Sequence, residues 1–252
     1  MKIFVISLKD SKDRRKEIES QMKSLGLEFE FFDAIDGRQG VPKQYIDRID
    51  YKSIRRNTMR DMATGEIGVS LSHSLLYKKI IDENIIDEAV ILEDDAILTR
   101  GFAELVKSDK LQQSKFDMIL LCHWLCYMHE SFLIPLIGKY KIGKTLNNPS
   151  FSVAYYVNKK ALQKLRNATQ KISYTSDFPI DLRNGDVGAI VPRIVRHPHI
   201  SNSLVDADRA KMVYKYKEAL FGRFGFITWV RHKIMRPKNG KGTNFSKEIH
   251  GE

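Results

Sequence analysis

The sequence has little cysteine and no long apolar run. Its two cysteines, Cys122 and Cys126, lie within the apolar segment MILLCHWLCYM, which is typical of a buried core and not of a disulfide framework. No apolar run reaches the roughly 18 residues that a membrane-spanning helix needs. The apolar part of the opening segment MKIFVISLKDSKDRR is too short, and charge follows too soon, for a signal peptide. These absences predict a cytoplasmic protein that is soluble or peripheral to a membrane.

Composition favours a folded, basic protein. Hydrophobic residues make up 42% of the 252 residues and charged residues 29%, which is enough to bury one sizeable core and excludes a disordered or fibrous chain. The 42 Lys and Arg residues exceed the 31 Asp and Glu residues, so the formal net charge is +11. Such a charge favours anionic partners, which include nucleic acid, phosphorylated sugars and acidic membranes. Charge alone does not choose among them.

The first 37 residues predict a β-α-β unit. Residues 2–8 are apolar and β-branched, a helix that Gly26 can end follows them, and residues 27–32 predict a second strand. In open α/β sheets, ligands gather at the carboxyl ends of the strands. Residues 7–10 and 33–37 are therefore candidate binding loops.

The next segments predict an irregular excursion and a long helix. Residues 40–62 are basic and lack a clear period, which favours an irregular surface segment. A helix begins near Thr64, and Ile67, Leu71 and Leu75 form its core-facing stripe. This pattern predicts that the other faces carry residues pointing away from the core, namely Glu66, Ser70, His73 and Tyr77.

The acidic triplet Glu93-Asp94-Asp95 directly follows the apolar strand of residues 89–92. Three adjacent carboxylates repel one another unless a cation compensates their charge. All-oxygen ligands favour hard ions such as Mg²⁺ or Mn²⁺, which keep positions open for phosphate oxygens. A polar turn that leads into a helix cap is the plain alternative.

Other side chains are weaker candidates for chemistry. Either Asp177 or Asp181, in the loop of residues 173–184, could act as a general base, although loop aspartates commonly only form turns. His73 could bind a substrate hydroxyl or phosphate, or could be a structural histidine. Arg14 or Arg15 could reach a diphosphate from the first strand end. His197 and His199 could contact a phosphate, although simple solvent exposure is the expected state.

The pieces together resemble the glycosyltransferase family 25 proteins of bacterial lipopolysaccharide and lipooligosaccharide synthesis. Four segments carry the resemblance, in the same order as in the family: FVISLKDSKDRR, FEFFDAIDG, GEIGVSLSHSLLYKKI and AVILEDDAIL. Weaker similarity continues to about residue 205. Ser7 stands where the family often has asparagine, and Val69 stands where it often has cysteine.

The resemblance implies a GT-A-like, Rossmann-type α/β domain over residues 1–205 that binds a UDP-sugar and a divalent metal, Mn²⁺ or Mg²⁺. It implies Asp95 and Glu93 as metal ligands, and Asp181 and His73 as catalytic residues, Asp181 as the base or on the acceptor side. The implied donor-site residues are Ser7, Leu8, Arg14, Ala34, Ile35, Asp36, Gly37, Ser72, Glu93 and Asp94.

The chain's last segments differ in composition from the rest. Residues 206–238 interleave Lys and Arg with aromatic residues, which predicts a basic, helical, amphipathic appendage. Such an appendage suits the anionic inner face of the cytoplasmic membrane, although a purely structural helix pair is equally compatible. Residues 239–252 are polar and predicted to be disordered.

The function that this resemblance implies is an inverting transfer of a hexose, galactose favoured over glucose, from a UDP-hexose to a lipooligosaccharide acceptor. Two other functions remain open. The first is a basic nucleic-acid-binding protein, which would account for the charge but leaves the acidic triplet unexplained. The second is a non-catalytic homologue that binds sugar nucleotide. If the protein is a glycosyltransferase, no nucleic acid partner is expected.

Overall fold

The protein is built around one eight-stranded sheet. A computed structural model describes residues 1–58, 60–83, 87–198 and 243–244. The strands are β1 (Lys2–Ser7), β2 (Glu30–Asp33), β3 (Glu88–Glu93), β4 (Ile97–Leu98), β5 (Met118–Leu120), β6 (Tyr127–Met128), β7 (Ile134–Ile137), β8 (Tyr140–Lys144), β9 (Ala154–Asn158), β10 (Val187–Val191), β11 (Val195–Arg196) and β12 (Thr243–Asn244). The α-helices are α1 (Lys12–Leu25), α2 (Tyr51–Thr58), α3 (Thr64–Asp82), α4 (Arg100–Val106) and α5 (Lys159–Ala168). Three 3₁₀ helices span Lys43–Arg48, Glu130–Phe132 and Leu182–Asn184.

The strand order of the large sheet is β2-β1-β3-β9-β5-β10-β8-β7. Strands β2, β1 and β3 pair in parallel, and β5 pairs in parallel with β10, whereas β9 runs antiparallel to both β3 and β5. The carboxyl ends of β2, β1, β3, β5 and β10 therefore lie along the same side of the sheet, which is called the carboxyl edge below. The predicted α/β class and the opening β-α-β unit are confirmed.

Both faces of the sheet are covered, which is why its central strands read as continuous apolar runs. Phe4 and Ile6 of β1 belong to a core layer with side chains of α3 and α5. Ile3 and Val5 of the same strand point into a second layer with side chains of α1 and α4. Side chains alternate across a strand, so β1 contributes to both layers at once.

Helix α3 is buried on more faces than its apolar stripe predicted. Glu66, Ser70, His73 and Tyr77 were expected to point away from the core, but each is at most 4% exposed. One reason is a third apolar cluster, in which α3 packs against the segment before it and Ile172. The segment of residues 40–62, predicted to be irregular, forms a 3₁₀ helix and α2 and supplies much of that cover.

Several features agree with the sequence, and some were not foreseen. Gly26 adopts a left-handed conformation with φ of 61° and ends α1, and Asn158 caps α5 by accepting a hydrogen bond from the Ala161 amide. Cys122 and Cys126 are buried thiols. The β7–β8 hairpin was not predicted, because its alternation is short and its turn depends on Gly138 at φ of 50°.

The predicted basic appendage, residues 206–238, lies outside the described residues. Within the last segment, β12 pairs with β6 in a two-stranded antiparallel ladder, and the rest of residues 239–252 is also outside them. In the described part of the chain, no helix has both the length and the apolar character needed to cross a membrane.

Two glycines let the loop after β2 approach α3 closely. A Cβ on Gly37 would lie 2.1 Å from the Thr64 carbonyl oxygen, and one on Gly68 would lie 2.7 Å from the Ile35 carbonyl oxygen. Both obstacles are backbone atoms, which cannot rotate away as a side chain can. The absence of side chains at these positions therefore sets the position of the loop at the sheet edge.

Gly68→Ala is expected to lower the free energy of unfolding by about 1–3 kcal/mol, because the added methyl overpacks the contact with Ile35. This loss outweighs the roughly 1 kcal/mol that alanine gains over glycine in a helix. Urea unfolding followed by circular dichroism measures it. Gly185→Ala is the matched control, since its Cβ would meet the Val187 side chain at 3.3 Å and a backbone atom, the Leu182 carbonyl oxygen, only at an ordinary 3.8 Å. A Gly68→Ala protein as stable as wild type would contradict the close approach.

Candidate functional site

The acidic triplet lies at the carboxyl edge of the sheet, beside the two candidate loops. Strand β3 ends at Glu93, β1 beside it ends at Ser7, and β2 ends at Asp33. The register places Ile6 opposite Glu93 and Ser7 opposite Asp33. Parallel pairing therefore brings three chain segments that are distant in sequence to one edge.

Asp94 is tied to the first strand and to α1. Its Oδ2 accepts a hydrogen bond of 2.7 Å from the Ser7 hydroxyl, and its Oδ1 accepts one of 3.2 Å from Arg14 Nη1. Burial raises the pKa of Asp94, against the lowering effects of Ser7 and Arg14. Both carboxylate oxygens of Asp94 are thus engaged by protein groups.

Asp95 has fewer hydrogen-bond partners than Asp94 among the described residues. Its Oδ2 lies 3.4 Å from His197 Nε2 and 3.7 Å from Arg14 Nη1. Its Oδ1 is buried and has no hydrogen-bond partner among the residues that the structure describes. A buried carboxylate oxygen without a partner is costly, so it marks a place where a cation or a donor group would be favourable.

His197 was expected to be solvent-exposed, and the structure corrects this expectation. Only 16% of its side chain is exposed, because it packs against Phe151 with a ring-centroid distance of 5.0 Å. Burial alone would lower the pKa of His197, but the hydrogen bond and charge of Asp95 raise it overall.

Glu93 is held from behind by a buried polar network. Its Oε1 accepts a hydrogen bond of 2.8 Å from the Ser152 hydroxyl and is 3.2 Å from His73 Nε2. His73 Nδ1 is 2.7 Å from the Tyr155 hydroxyl, which is 2.6 Å from the Tyr77 hydroxyl. His73 is only 2% exposed, so its place is behind the acidic triplet, where it positions Glu93.

The loop after β2 is fastened to β1 and α3. The Ala34 amide donates to the Ser7 carbonyl at 2.9 Å, and the Ile35 amide donates to Ser72 Oγ at 2.8 Å. The Ser72 hydroxyl in turn donates to the Gly68 carbonyl. Ser72 is fully buried, so it shapes the loop from below.

An ion pair also links the loop after β1 to the loop after β2. Arg38 bonds both carboxylate oxygens of Asp36 and also reaches Asp10 Oδ2 in the loop after β1. These bonds lower the pKa of Asp36, with the Arg38 side-chain hydrogen bond as the largest cause. Leu8 belongs to the loop after β1 and is half-buried. Ser7, Leu8, Arg14 and the segment 34–37 therefore lie at the same edge of the sheet.

Arg14 and Arg15, adjacent in sequence, have different roles. Arg14 faces Asp94 and Asp95, with 38% of its side chain exposed. Arg15 donates to the Ser7 and Leu8 carbonyl oxygens at 2.8 Å and 3.1 Å and pairs with Asp33. Arg15 thus braces the loop backbone, and Arg14 is the cation beside the acidic triplet.

The structure does not bring Asp181 to this edge. Asp181 lines a cavity of about 400 Å³ together with Met118 and Val187, the first residues of β5 and β10. Those residues mark the amino ends of the strands, opposite the carboxyl edge. Arg183 bonds both carboxylate oxygens of Asp181 and lowers its pKa. The geometry therefore gives no support to a catalytic role for Asp181.

Asp177, the other aspartate of that loop, lies at the carboxyl edge, where the acidic triplet is. Its Oδ1 accepts hydrogen bonds from the Phe151 and Ser152 amides at 3.0 Å and 3.2 Å. Ser152 is the residue that bonds Glu93. Sequence reasoning missed Ser152 and Tyr155 because nothing in their spacing indicates a site, and only β9, beside β3, places them there.

The described residues contain no group of three or more His, Cys, Asp or Glu side chains arranged to hold a metal ion by themselves. Glu93 Oε1 and both oxygens of Asp94 already accept hydrogen bonds. Of the carboxylate oxygens that remain, Asp95 Oδ1 is the one that is buried without a partner among the described residues, and it can supply one carboxylate ligand. An edge with one unengaged buried carboxylate oxygen and an exposed arginine can hold a cation and its phosphate together, since Mg²⁺ typically takes one or two carboxylates and completes its shell with phosphate and water.

Comparison with known proteins reveals relatives that match between 37% and 47% of this chain. A "Glycosyltransferase 25 family member" of Aedes aegypti is 36% identical over 97 residues, covering 37% of this chain and 16% of the relative. The "Lacto-N-neotetraose biosynthesis glycosyltransferase LgtB" of Neisseria gonorrhoeae is 30% identical over 118 residues, covering 46% of this chain and 40% of the relative. The human "Procollagen galactosyltransferase 2" is 26% identical over 125 residues, 47% of this chain and 20% of that protein. The matches thus span less than half the length of these relatives.

The family comparison covers more of the chain. The family described as "Glycosyltransferase family 25 (LPS biosynthesis protein)" matches residues 1–181, which include β1 to β9 and the acidic triplet. This chain therefore belongs to glycosyltransferase family 25.

Proposed function

We propose that the protein is a metal-dependent, inverting glycosyltransferase that moves a hexose from a UDP-sugar to a sugar of a lipopolysaccharide or lipooligosaccharide acceptor. The observation that carries this proposal is the buried Asp95 Oδ1, which has no partner among the described residues and lies at the carboxyl end of β3. Family membership gives the reaction class, and this atom gives the place where the chemistry would occur.

The residues present fit a hard divalent cation, Mn²⁺ or Mg²⁺. Asp95 would be its carboxylate ligand, because carboxylate oxygens suit Mn²⁺ and Mg²⁺. Glu93, assigned to the metal by resemblance, has one oxygen held by Ser152 and His73 and would act mainly through its charge. A bound cation would neutralise charge on the departing diphosphate.

The chain's own groups would bind and orient the donor. The loops of residues 7–10 and 34–37 border the nucleotide, and Arg14, which is partly exposed, can turn from Asp94 to a phosphate oxygen. Ser72 and His73 act from below, by fixing Ile35 and Glu93. Most of the rate enhancement would come from positioning and charge stabilisation.

The reaction proposed is a single displacement. The acceptor hydroxyl oxygen bonds to the anomeric carbon as the bond from that carbon to the diphosphate oxygen breaks. Uridine diphosphate leaves with the electron pair, and the hydroxyl proton passes to a base. We do not assign Asp181 as this base, because it lies at the amino ends of β5 and β10.

Galactose is the favoured hexose, with glucose as the second choice. The support comes from two relatives, one named as a procollagen galactosyltransferase and the other as a glycosyltransferase of lacto-N-neotetraose biosynthesis. The basic segment 206–238 supports a peripheral location on the anionic inner face of the cytoplasmic membrane by composition alone. Nucleic acid is not part of the proposal.

Asp95→Ala is expected to reduce release of uridine diphosphate from UDP-galactose and UDP-glucose by roughly a hundredfold or more, because it removes the carboxylate that would hold the cation. The assay is run with and without Mn²⁺, in the presence of lipooligosaccharide. Wild-type turnover should require the metal.

Asp181→Asn is the matched control, since it also removes an aspartate charge. It should keep activity within about threefold of wild type, because Asp181 is remote from the acidic edge. Metal-independent turnover, or full activity in Asp95→Ala, would overturn the metal assignment. No turnover of either donor by folded wild type would favour the non-catalytic alternative.

Arg14→Gln is expected to weaken binding of uridine diphosphate in the presence of Mn²⁺ by roughly tenfold, because it removes a charge-assisted contact to phosphate. Isothermal titration calorimetry measures the dissociation constant. Arg56→Gln, which removes the same charge from α2, should leave it unchanged. Equal affinities for wild type and Arg14→Gln would show that Arg14 serves only to neutralise Asp94.

A further inference from the structure

A row of aromatic rings leads away from the acidic triplet. His197 touches Asp95, the Phe151 ring lies 5.0 Å from the His197 ring, and the Trp124 ring lies 6.1 Å from the Phe151 ring. The planes of each neighbouring pair are inclined by 32°. Trp124 is 38% exposed, although the cysteines on either side of it, Cys122 and Cys126, are completely buried.

The row lies on one side of the acidic triplet, and the nucleotide loops lie on the other. Trp124 follows the carboxyl end of β5 and is joined to Ser150 by hydrogen bonds of 2.9 Å and 3.0 Å between their backbones. In the sheet order, β5 is two strands from β3 on the β9 side. The loops that would bind the nucleotide follow β1 and β2, which lie on the opposite side of β3. The order along the edge is therefore nucleotide loops, acidic triplet, aromatic row.

The backbone of the row is held in an uncommon conformation. Phe151 has φ of 83° and Leu125 has φ of 52°, and each is a bulky residue in a region that favours glycine. Such conformations persist where surrounding bonds impose them, and they cluster at functional sites. Asp177 imposes one of them, because its Oδ1 accepts hydrogen bonds from both the Phe151 and Ser152 amides.

Core packing accounts for Phe151, which is half-buried against the second core layer, but not for Trp124. A tryptophan placed only for stability would bury its ring, whereas this ring stays partly exposed between two buried cysteines. A partly exposed tryptophan ring, backed by Phe151 beside the acidic triplet, is suited to stacking against a flat ligand that is apolar on its face and polar around its rim. A pyranose ring has this character, since its C–H groups line the faces and its hydroxyl groups project outward.

We propose that Trp124 and Phe151 form the subsite that binds a pyranose ring of the acceptor by stacking, with Asp177 as the residue that positions Phe151. This inference rests on the proposed glycosyltransferase function and adds the location of its acceptor. A stacked ring at this place approaches the acidic triplet from the side opposite the nucleotide loops, which is the approach that a direct displacement requires. The donor sugar is the competing occupant.

Trp124→Ala is expected to raise the acceptor KM by roughly tenfold, because the stacking face is lost. The dissociation constant for UDP-galactose should be unchanged. Trp124→Phe, which keeps an aromatic face, should stay within about threefold of wild type. The acceptor probe is de-O-acylated lipooligosaccharide, the donor is UDP-galactose with Mn²⁺, and transfer is followed by mass spectrometry of the product. Donor affinity is measured separately by calorimetry without acceptor.

Phe132→Ala is the matched control, because Phe132 is also an exposed aromatic side chain, at 70%, but lies just before β7, the edge strand of the sheet. It should change neither quantity. An unchanged acceptor KM in Trp124→Ala would overturn the subsite. A weaker UDP-galactose affinity with the acceptor KM unchanged would assign the rings to the donor sugar and also overturn it. Wild type that binds donor but transfers to no acceptor would refute the proposed function and this subsite with it.

Discussion

The repulsion among three consecutive carboxylates at the end of a buried strand is the constraint around which this edge is organised. Each carboxylate is compensated differently. Glu93 accepts from Ser152 and contacts His73, Asp94 is held by Ser7 and Arg14, and Asp95 has His197 on one oxygen only. The incomplete compensation of Asp95 leaves one buried oxygen, among the described residues, that a cation would satisfy.

Helix α3 connects this edge to the rest of the fold. From one helix, Ser72 fixes the loop after β2 and His73 fixes Glu93, while Gly68 allows the loop to approach. These roles require polar groups inside the protein, and each is satisfied by a hydrogen bond, as buried polar groups must be. The helix is therefore buried on its polar faces as well as on its apolar stripe.

The two aspartates of the loop before β10 illustrate how far chain order can mislead. They are four residues apart, yet Asp177 contacts Phe151 and Ser152 at the carboxyl edge, and Asp181 lines a cavity at the amino ends of β5 and β10. The resemblance implied Asp181 as the base or as an acceptor-side residue. Between Asp177 and Asp181 the loop passes from the carboxyl ends of the strands to the amino ends, and no local sequence pattern predicts this path.

The sequence by itself determined the α/β class, strands β1 to β3, helices α1 and α3, the acidic triplet at a strand end and the two loops beside it. These features depend on local periodicity and caps, such as Gly26, and on the rule that parallel strands gather ligands at their carboxyl ends. Only the tertiary structure decided which side chains surround the triplet. Ser152, Tyr155 and His197 reach it through the pairing of β9 with β3 and through the chain after β10. Those contacts join residues tens of positions apart, and their energy depends on burial and geometry that no stretch of sequence carries alone.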